Sequence, residues 1–137
     1  MTKENMTNEG ADILVAAIVN RAVEDYFNAR FILDTQKLHK TEKYKLVRKH
    51  KLFFDAYEFF KSDWYHALVP QISSEVALDA INERYYDEYF FEQFDKYVKT
   101  LDISPARIER FKTGFRNHFY FDRVPVEKRI AYYHELI

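Results

Sequence analysis

Apolar residues recur every three or four positions along almost the whole chain, which is the interval that places side chains on one face of a helix. The pattern predicts an all-α, single-domain bundle of about five helices. Residues 8–69 form a long N-terminal helical hairpin, residues 73–137 supply the C-terminal helices, and residues 1–7 are expected to fray. The predicted helices span about 8–33, 41–68, 73–101, 104–114 and 125–137.

The first predicted helix carries an unusually wide apolar face, and Thr7 or Asn8 is the residue that can cap it. A face this wide predicts burial on more than one side, or contact with a partner molecule. Its members include Ile13, Leu14, Val15, Ile18, Val19, Val23 and Phe27.

The second predicted helix has one apolar stripe, which we expect to be buried along its whole length. Pro70 blocks continuation of the helix, because proline has no N–H for the helical hydrogen bond. The stripe steps through Leu46, Phe53, Tyr57, Phe60, Trp64 and Leu68.

The third predicted helix begins at a Ser73 or Ser74 cap, and its apolar period slips near residues 84–87. The slip indicates either a bend or two helices that abut. The inward face before the slip comprises Val76, Ala77, Ala80, Ile81 and Tyr85, and the shifted face continues through Phe90, Phe94, Tyr97 and Leu101.

The fourth predicted helix has Ser104 as its cap and Pro105 at its first position, a placement that suits the fixed φ of proline. Gly114 is expected to end this helix. Residues 119–121 form either a buried connector or one short strand, and Pro125 begins the last helix.

Composition supports the helical prediction and excludes several classes of protein. Among 137 residues, 25 are aromatic, whereas there are two glycines, three prolines and no cysteine. So few turn residues exclude an all-β fold and a glycine-rich phosphate loop. The longest apolar run, residues 13–19, is too short for a membrane span and does not resemble a signal peptide, so we expect a cytoplasmic protein without membrane contact.

Charge is unevenly distributed although the net charge is −1. Residues 37–51 hold seven Lys or Arg against one acid, and residues 75–102 hold eight acids against three bases. Two interpretations are open. The two blocks neutralise each other across a pair of helices, or the basic block meets phosphates or an acidic protein.

Catalytic motifs are not apparent, so we expect a protein that is not an enzyme and needs no metal or cofactor. The five histidines occur in no paired metal-binding spacing, and Asp63 with His66 is one imperfect copy of a bundle metal motif. Ser73, Ser74 and Ser104 have capping roles, and no nucleophile elbow occurs.

Six aromatic residues lie between Tyr85 and Phe94, which is more than one buried face is expected to hold. Their acidic neighbours would repel phosphate, so we interpret the excess as an exposed contact for a protein partner. The predicted partner-binding face consists of Glu83, Tyr86, Asp87, Glu88, Tyr89, Glu92 and Asp95.

The first two helices resemble small uncharacterised helical proteins from prophages of Gram-positive bacteria. The resemblance covers residues 11–68 and lies in the phrase that ends at Arg30 and in the sequence Phe59-Phe60-Lys61-Ser62-Asp63-Trp64. It implies a phage or prophage context and a helical hairpin.

Residues 97–114 are similar to the helix-turn-helix of phage repressors. Leu101, Ile103 and Ser104 match the turn, although Asp102 stands where that motif usually has glycine. In such motifs the second helix enters the major groove of DNA. The resemblance and the basic block together predict a nucleic-acid-binding set of Arg107, Arg110, Lys112, Arg116, Lys43 and Arg48.

Three functional hypotheses follow. The first is a phage or prophage accessory protein that binds a host or phage protein or nucleoprotein, such as an anti-defence inhibitor of the anti-CRISPR type. The second is a DNA-binding helix-turn-helix regulator. The third is a structural helical module that self-associates, for example as a homodimer.

Overall fold

A computed structural model describes residues 8–137, so the expected fraying of residues 1–7 and a Thr7 cap lie outside the described residues. It is 78% helical and has no strand among those residues, which confirms the all-α bundle. The α-helices are α1 (Asn8–Asp34), α2 (Lys43–Phe60), α3 (Asp63–Leu68), α4 (Ser74–Arg84), α5 (Phe91–Val98), α6 (Pro105–Phe115) and α7 (Ile130–Glu135). Two π-helical segments (Tyr85–Phe90 and Arg116–Tyr120) and one 3-10 turn (Val126–Lys128) complete the helical structure.

The hairpin of α1 and α2 is the most extensive helix pairing in the bundle. The side chain of Gln36 closes its turn. The Gln36 amide nitrogen donates to the Ile32 carbonyl at 2.7 Å and to the Thr41 hydroxyl at 2.8 Å, and the amide oxygen accepts from the Thr41 backbone N–H at 3.0 Å. These bonds satisfy backbone and side-chain groups that the turn between the helices leaves free.

The second predicted helix is interrupted, which overturns the prediction that Trp64 is buried. Helix α2 ends at Phe60, and the Ser62 hydroxyl caps α3 by accepting from the Tyr65 backbone N–H at 3.1 Å. Because the chain turns here, Tyr65 and not Trp64 is the next aromatic residue after Phe60 that is buried in the core. Trp64 points outward and is 58% exposed.

The slip in the third predicted helix coincides with a π-helical segment. Helix α4, the segment Tyr85–Phe90 and α5 follow one another without a break. A π turn takes up an additional residue, so it moves the buried stripe around the helix axis. Ser73 is the observed cap, and Val76 is exposed although it was expected to face inward.

The predicted cap of the fourth helix is confirmed, but its predicted end is wrong. The Ser104 hydroxyl accepts from the Arg107 backbone N–H at 3.3 Å, and α6 begins at Pro105. Gly114 does not end the helix, because its conformation is helical and the chain continues as the π-helical segment Arg116–Tyr120. Residues 119–121 therefore form no strand, and Phe121 is exposed.

Aromatic rings form most of the core. Phe90 of the first π-helical segment stacks on Phe115 at the end of α6, with ring centroids 3.8 Å apart and planes 3° from parallel. Phe94 of α5 stacks on Phe111 of α6 at 5.7 Å. The two stacked pairs therefore pack α6 against the first π-helical segment and α5. The π turn makes these contacts, since it rotates Phe90 towards α6.

Arg30 lies at the centre of the bundle with no exposed surface. Its guanidinium donates to the Asn82 side-chain oxygen at 2.8 Å and to the hydroxyls of Tyr86 at 3.0 Å and Tyr26 at 3.1 Å. The same group lies 4.2 Å from the centre of the Tyr85 ring. Burial of a charge is costly unless it is paired and hydrogen-bonded, and these contacts together compensate it.

Asp34 supplies the opposite charge one helical turn after Arg30. Its Oδ2 atom lies 3.6 Å from the Arg30 Nε atom and accepts from the Tyr85 hydroxyl at 2.8 Å, and its Oδ1 atom accepts from the Tyr133 hydroxyl at 2.6 Å. Arg129 donates to it at 3.1 Å. Burial and the Asp34 carboxylate hold the pKa values of Tyr85 and Tyr133 well above the ordinary tyrosine value. Both tyrosines therefore stay protonated and able to donate.

The first half of α1 is less enclosed than its wide apolar face predicts. Its second half is buried from Tyr26 to Leu33 apart from Asn28 and Ile32, whereas Ile13 and Leu14 are 65% and 55% exposed. The expected burial on several sides therefore holds only for the part of α1 that packs against both α2 and the π-helical segment.

We expect Phe60→Ala to lower the free energy of unfolding by about 3–5 kcal/mol, because it removes a ring that is only 1% exposed. Trp64→Ala is expected to cost about 1 kcal/mol or less, since most of this ring is already in water. Urea unfolding followed by circular dichroism measures both. Similar losses in the two variants would contradict the observed break between α2 and α3.

We expect Arg30→Met to destabilise the fold by about 3–5 kcal/mol, because it leaves the Asn82 oxygen and part of the Asp34 charge without a buried partner. Arg21→Met is the matched control on the same helix. Arg21 pairs with Asp25 at 3.3 Å on the surface, where such a pair contributes less than about 1 kcal/mol. Equal urea midpoints for the two variants would show that the buried network does not hold the bundle together.

Candidate functional site

The predicted partner-binding face has its carboxylates on the surface, and most of them have basic neighbours. Glu83 is exposed. The four ion pairs on this face join Arg123 to Asp87, Arg84 to Glu88 at 3.2 Å, Lys96 to Glu92 at 3.6 Å, and Lys112 to Asp95 at 3.4 Å. This arrangement neutralises much of the acidic charge locally.

The aromatic residues of that face are not on the surface, so the expected exposed aromatic excess is wrong. Tyr86 is 2% exposed and its hydroxyl is bonded to Arg30 and to the Val124 carbonyl. Tyr89 is half-buried, 5.0 Å from the Phe27 ring. Tyr85, Phe90 and Phe94 are buried as well, so a count from regular helical spacing overestimates the number of exposed rings.

The basic block forms one connected surface along the end of α1 and the start of α2. We call this the basic surface and define it by Lys37, Lys40, Lys43, Lys45, Arg48 and Lys49. A groove of about 420 Å³ is lined by Lys37, Lys40 and Lys43, and it shares Thr41 with a second groove of about 470 Å³ that is lined by Lys45, Arg48 and Lys49.

The basic surface is not neutralised by the acidic block, so the first interpretation of the charge pattern is wrong. Within residues 8–137, the one ion pair made by residues 37–51 joins Lys51 to Asp55, which lies outside the acidic block. Lys43 donates to the backbone oxygens of residues 136 and 137, and Lys49 donates to the Asn28 side chain. The cationic ends of Lys37, Lys40, Lys45 and Arg48 have no carboxylate partner among the described residues.

Tyr44 adds an exposed aromatic ring to this surface, and the predicted set left it out. The ring is 58% exposed, and the charged ends of Arg48 and Lys45 lie 5.6 Å and 5.8 Å from its centre. A tyrosine between two cations is suited to stack on a nucleobase while the cations meet phosphates. An aromatic residue inside a run of Lys and Arg is the sequence signal that could have identified it.

The structure divides the six residues of the predicted nucleic-acid-binding set between two surfaces. Lys43 and Arg48 lie on the basic surface. Arg110 faces a cavity that also has Lys37 in its wall, so it continues the basic surface on α6. Lys112 of α6 and Arg116 of the second π-helical segment lie together elsewhere, with their charged ends 5.9 Å and 4.8 Å from the centre of the Phe91 ring.

Arg107 completes the predicted set and is exposed in the first turn of α6. Of the residues proposed to match the turn of a helix-turn-helix, Leu101 and Ile103 are half-buried where α5 and α6 meet, and Ser104 is exposed. The first turn of α6 is thus open to solvent, as a recognition helix requires, but its basic residues are not gathered on one face.

A pair of histidines joins α2 to α7 beside the basic surface. The His50 Nε2 and His134 Nδ1 atoms are 2.9 Å apart, so one of them donates to the other. The Phe54 ring lies 4.7 Å from the His50 ring and stacks on the His134 ring at 4.8 Å. Burial and the neighbouring His134 lower the pKa of His50 below its ordinary value of 6.5.

No helix within residues 8–137 has the length and apolar character needed to cross a bilayer. In the same residues, His, Asp and Glu side chains form no group of three or more arranged to hold a metal ion. Asp63 and His66 are both exposed, and His66 instead contacts the Ser74 hydroxyl at 3.2 Å.

Comparison with known proteins identifies no relative: no family model, no curated protein and no solved structure matches the chain.

The lowered pKa of His50 predicts that the bundle loses stability below about pH 6.5. Folded His50 binds a proton less readily than unfolded His50, so the unfolded chain takes up more protons as the pH falls and is favoured. We expect the melting temperature to drop less between about pH 7.5 and pH 5 in His50→Asn than in the parent. His118→Asn, at an exposed position, is the control, and an unchanged drop in His50→Asn would contradict the assignment.

Proposed function

We propose that this protein is a phage or prophage accessory protein that acts by binding nucleic acid along its basic surface. The observation that carries the proposal is that Lys37, Lys40, Lys45 and Arg48 form no ion pair among the described residues, and that Glu135 is the one carboxylate lining the two grooves. By contrast, four of the five carboxylates of the predicted partner-binding face have basic partners. Uncompensated Lys and Arg on one face gain binding energy from phosphates, because their contact releases counterions from the nucleic acid.

Tyr44 supports a ligand with bases as well as phosphates. Its ring is exposed between Lys45 and Arg48, and stacking on a ring contributes to binding of single strands without a sequence requirement. The two grooves that share Thr41 extend the basic surface along the turn of the hairpin. The proposal is therefore binding of a strand whose backbone follows α2.

The phage context rests on the resemblance of residues 11–68 to prophage proteins. In that context, an anti-defence protein that occupies nucleic acid or a nucleoprotein would use the same basic surface. An acidic mimic of nucleic acid is the less favoured form of this role, because ion pairs occupy most of the acidic face.

Removal of two cations should weaken binding of a labelled oligonucleotide measured by fluorescence anisotropy. We expect Lys45→Ala/Arg48→Ala to lower the affinity about tenfold or more at low salt. The slope of log affinity against log salt should fall by roughly 1.5, because each lost phosphate contact removes about 0.7–0.9.

Lys61→Ala/Lys128→Ala is the matched control, since it removes the same charge from exposed positions outside the grooves of the basic surface. Equal affinities for the two double variants would contradict the site. Absence of binding by the parent to both single-stranded and duplex DNA and RNA at about 0.05 M salt would contradict the function.

A second candidate is a helix-turn-helix regulator, which the observed Ser104 cap and the exposed first turn of α6 favour. Arg107 distinguishes the two, because it lies in that turn and away from the basic surface. A regulator would lose sequence selectivity in Arg107→Ala, measured by selection from a random duplex pool. Selectivity that is absent in the parent, or unchanged in Arg107→Ala, would contradict this candidate.

A further inference from the structure

A cavity of about 170 Å³ lies between α6, the turn after α1 and the start of α7. Phe111, Phe119 and Tyr132 supply aromatic walls, and Gly114 leaves one side open because it has no side chain. A Cβ atom added at Gly114 would meet no atom within 4 Å. The cavity therefore has room for a ligand next to the helix backbone.

Basic side chains surround this cavity. Lys37, Arg110, Arg129 and His118 lie in its wall, and Asp34 is the one carboxylate among the residues that line it. Both oxygens of Asp34 are already engaged, by Tyr133 and Arg129 on one oxygen and by Tyr85 on the other. The cavity thus presents a net positive charge to a ligand.

Arg129 is held in place before any ligand arrives. Its guanidinium carbon lies 4.0 Å from the centre of the Phe119 ring and 4.5 Å from that of Tyr132, and the group donates to Asp34 at 3.1 Å. A guanidinium has five N–H donors, more than this contact uses. Such a fixed group binds an anion with little further loss of side-chain entropy.

We infer that this cavity binds a terminal phosphate group, a phosphomonoester. Such a group carries a charge of about −1.5 to −2 and three strong acceptor oxygens. Lys37, Arg110 and Arg129 offer it three cationic hydrogen-bond donors around the cavity. The aromatic walls would pack against the sugar or base that bears the phosphate. A cationic ligand would be repelled by Lys37, Arg110 and Arg129.

The inference rests on the proposed function where the phosphate is the end of a nucleic-acid strand. Lys37 and Tyr132 line both the cavity and the adjoining groove that holds Lys40 and Lys43. A strand that follows the basic surface would therefore deliver its end to Arg110 and Arg129. A free phosphorylated metabolite has the same terminal chemistry and is the other source of the ligand.

The test compares labelled oligonucleotides of one sequence that carry a 5′-phosphate, a 3′-phosphate or no terminal phosphate, with adenosine monophosphate and inorganic phosphate as separate ligands. We expect the full chain to bind one of the two phosphorylated strands about tenfold more tightly than the unphosphorylated strand. The preference should disappear in Gly114→Leu, which fills the cavity without a change of charge, while affinity for the unphosphorylated strand is kept.

Arg110→Gln should also reduce the preference severalfold, and this exposed residue keeps the test decisive if Gly114→Leu does not fold. Arg107→Gln on the same helix is the matched control, because Arg107 does not line the cavity. A preference retained in Arg110→Gln and in folded Gly114→Leu would overturn the inference.

The outcomes separate this inference from the proposed function. Equal binding of all three strands overturns the terminal-phosphate inference and leaves the function standing. Binding of adenosine monophosphate but of no strand supports the phosphate cavity, assigns it to a free metabolite and overturns the function. Binding of no strand, of no adenosine monophosphate and of no inorganic phosphate overturns both.

Discussion

The buried pair of Arg30 and Asp34 is the interaction on which the arrangement of the bundle depends. Both residues belong to α1, but their partners come from three later elements: Asn82 from α4, Tyr85 and Tyr86 from the π-helical segment, and Tyr133 from α7. A buried charge without these partners is strongly unfavourable, so each element must dock in one position for the network to be complete. Apolar packing alone would tolerate small rotations that this network does not.

The same network connects the core to the surface that we propose as functional. Arg129 bonds to the buried Asp34 and at the same time forms part of the wall of the small cavity. Tyr133 bonds to Asp34 from α7, and the next residue, His134, holds α7 against α2 beside the basic surface. The cationic groups that would meet a ligand are thus positioned by the interactions that hold the fold together.

The location of the helices could be predicted from the sequence, but which side of some helices is buried could not. Spacing of apolar residues was sufficient for the helices and for the Ser73 and Ser104 caps, since these signals are local. The predicted burial of Trp64 failed because a two-residue break at Lys61 and Ser62 redirects the chain. The predicted aromatic surface failed because Tyr85, Tyr86, Phe90 and Phe94 are all buried. The slip of the apolar period near residues 84–87 coincides with the π-helical segment, but it does not show how these rings pack against other helices.

The sequence by itself determined an all-α fold, a basic block at residues 37–51 and an acidic block at residues 75–102, because helical period and charge can be counted along the chain. Only the tertiary structure decided which charges stay uncompensated. It pairs four of the eight acids with bases and leaves Lys37, Lys40, Lys45 and Arg48 without an ion pair among the described residues. Two of those pairs are four residues apart on one helix, but the pairs of Asp95 with Lys112 and of Asp87 with Arg123 join residues 17 and 36 positions apart. Folding alone sets such long-range distances.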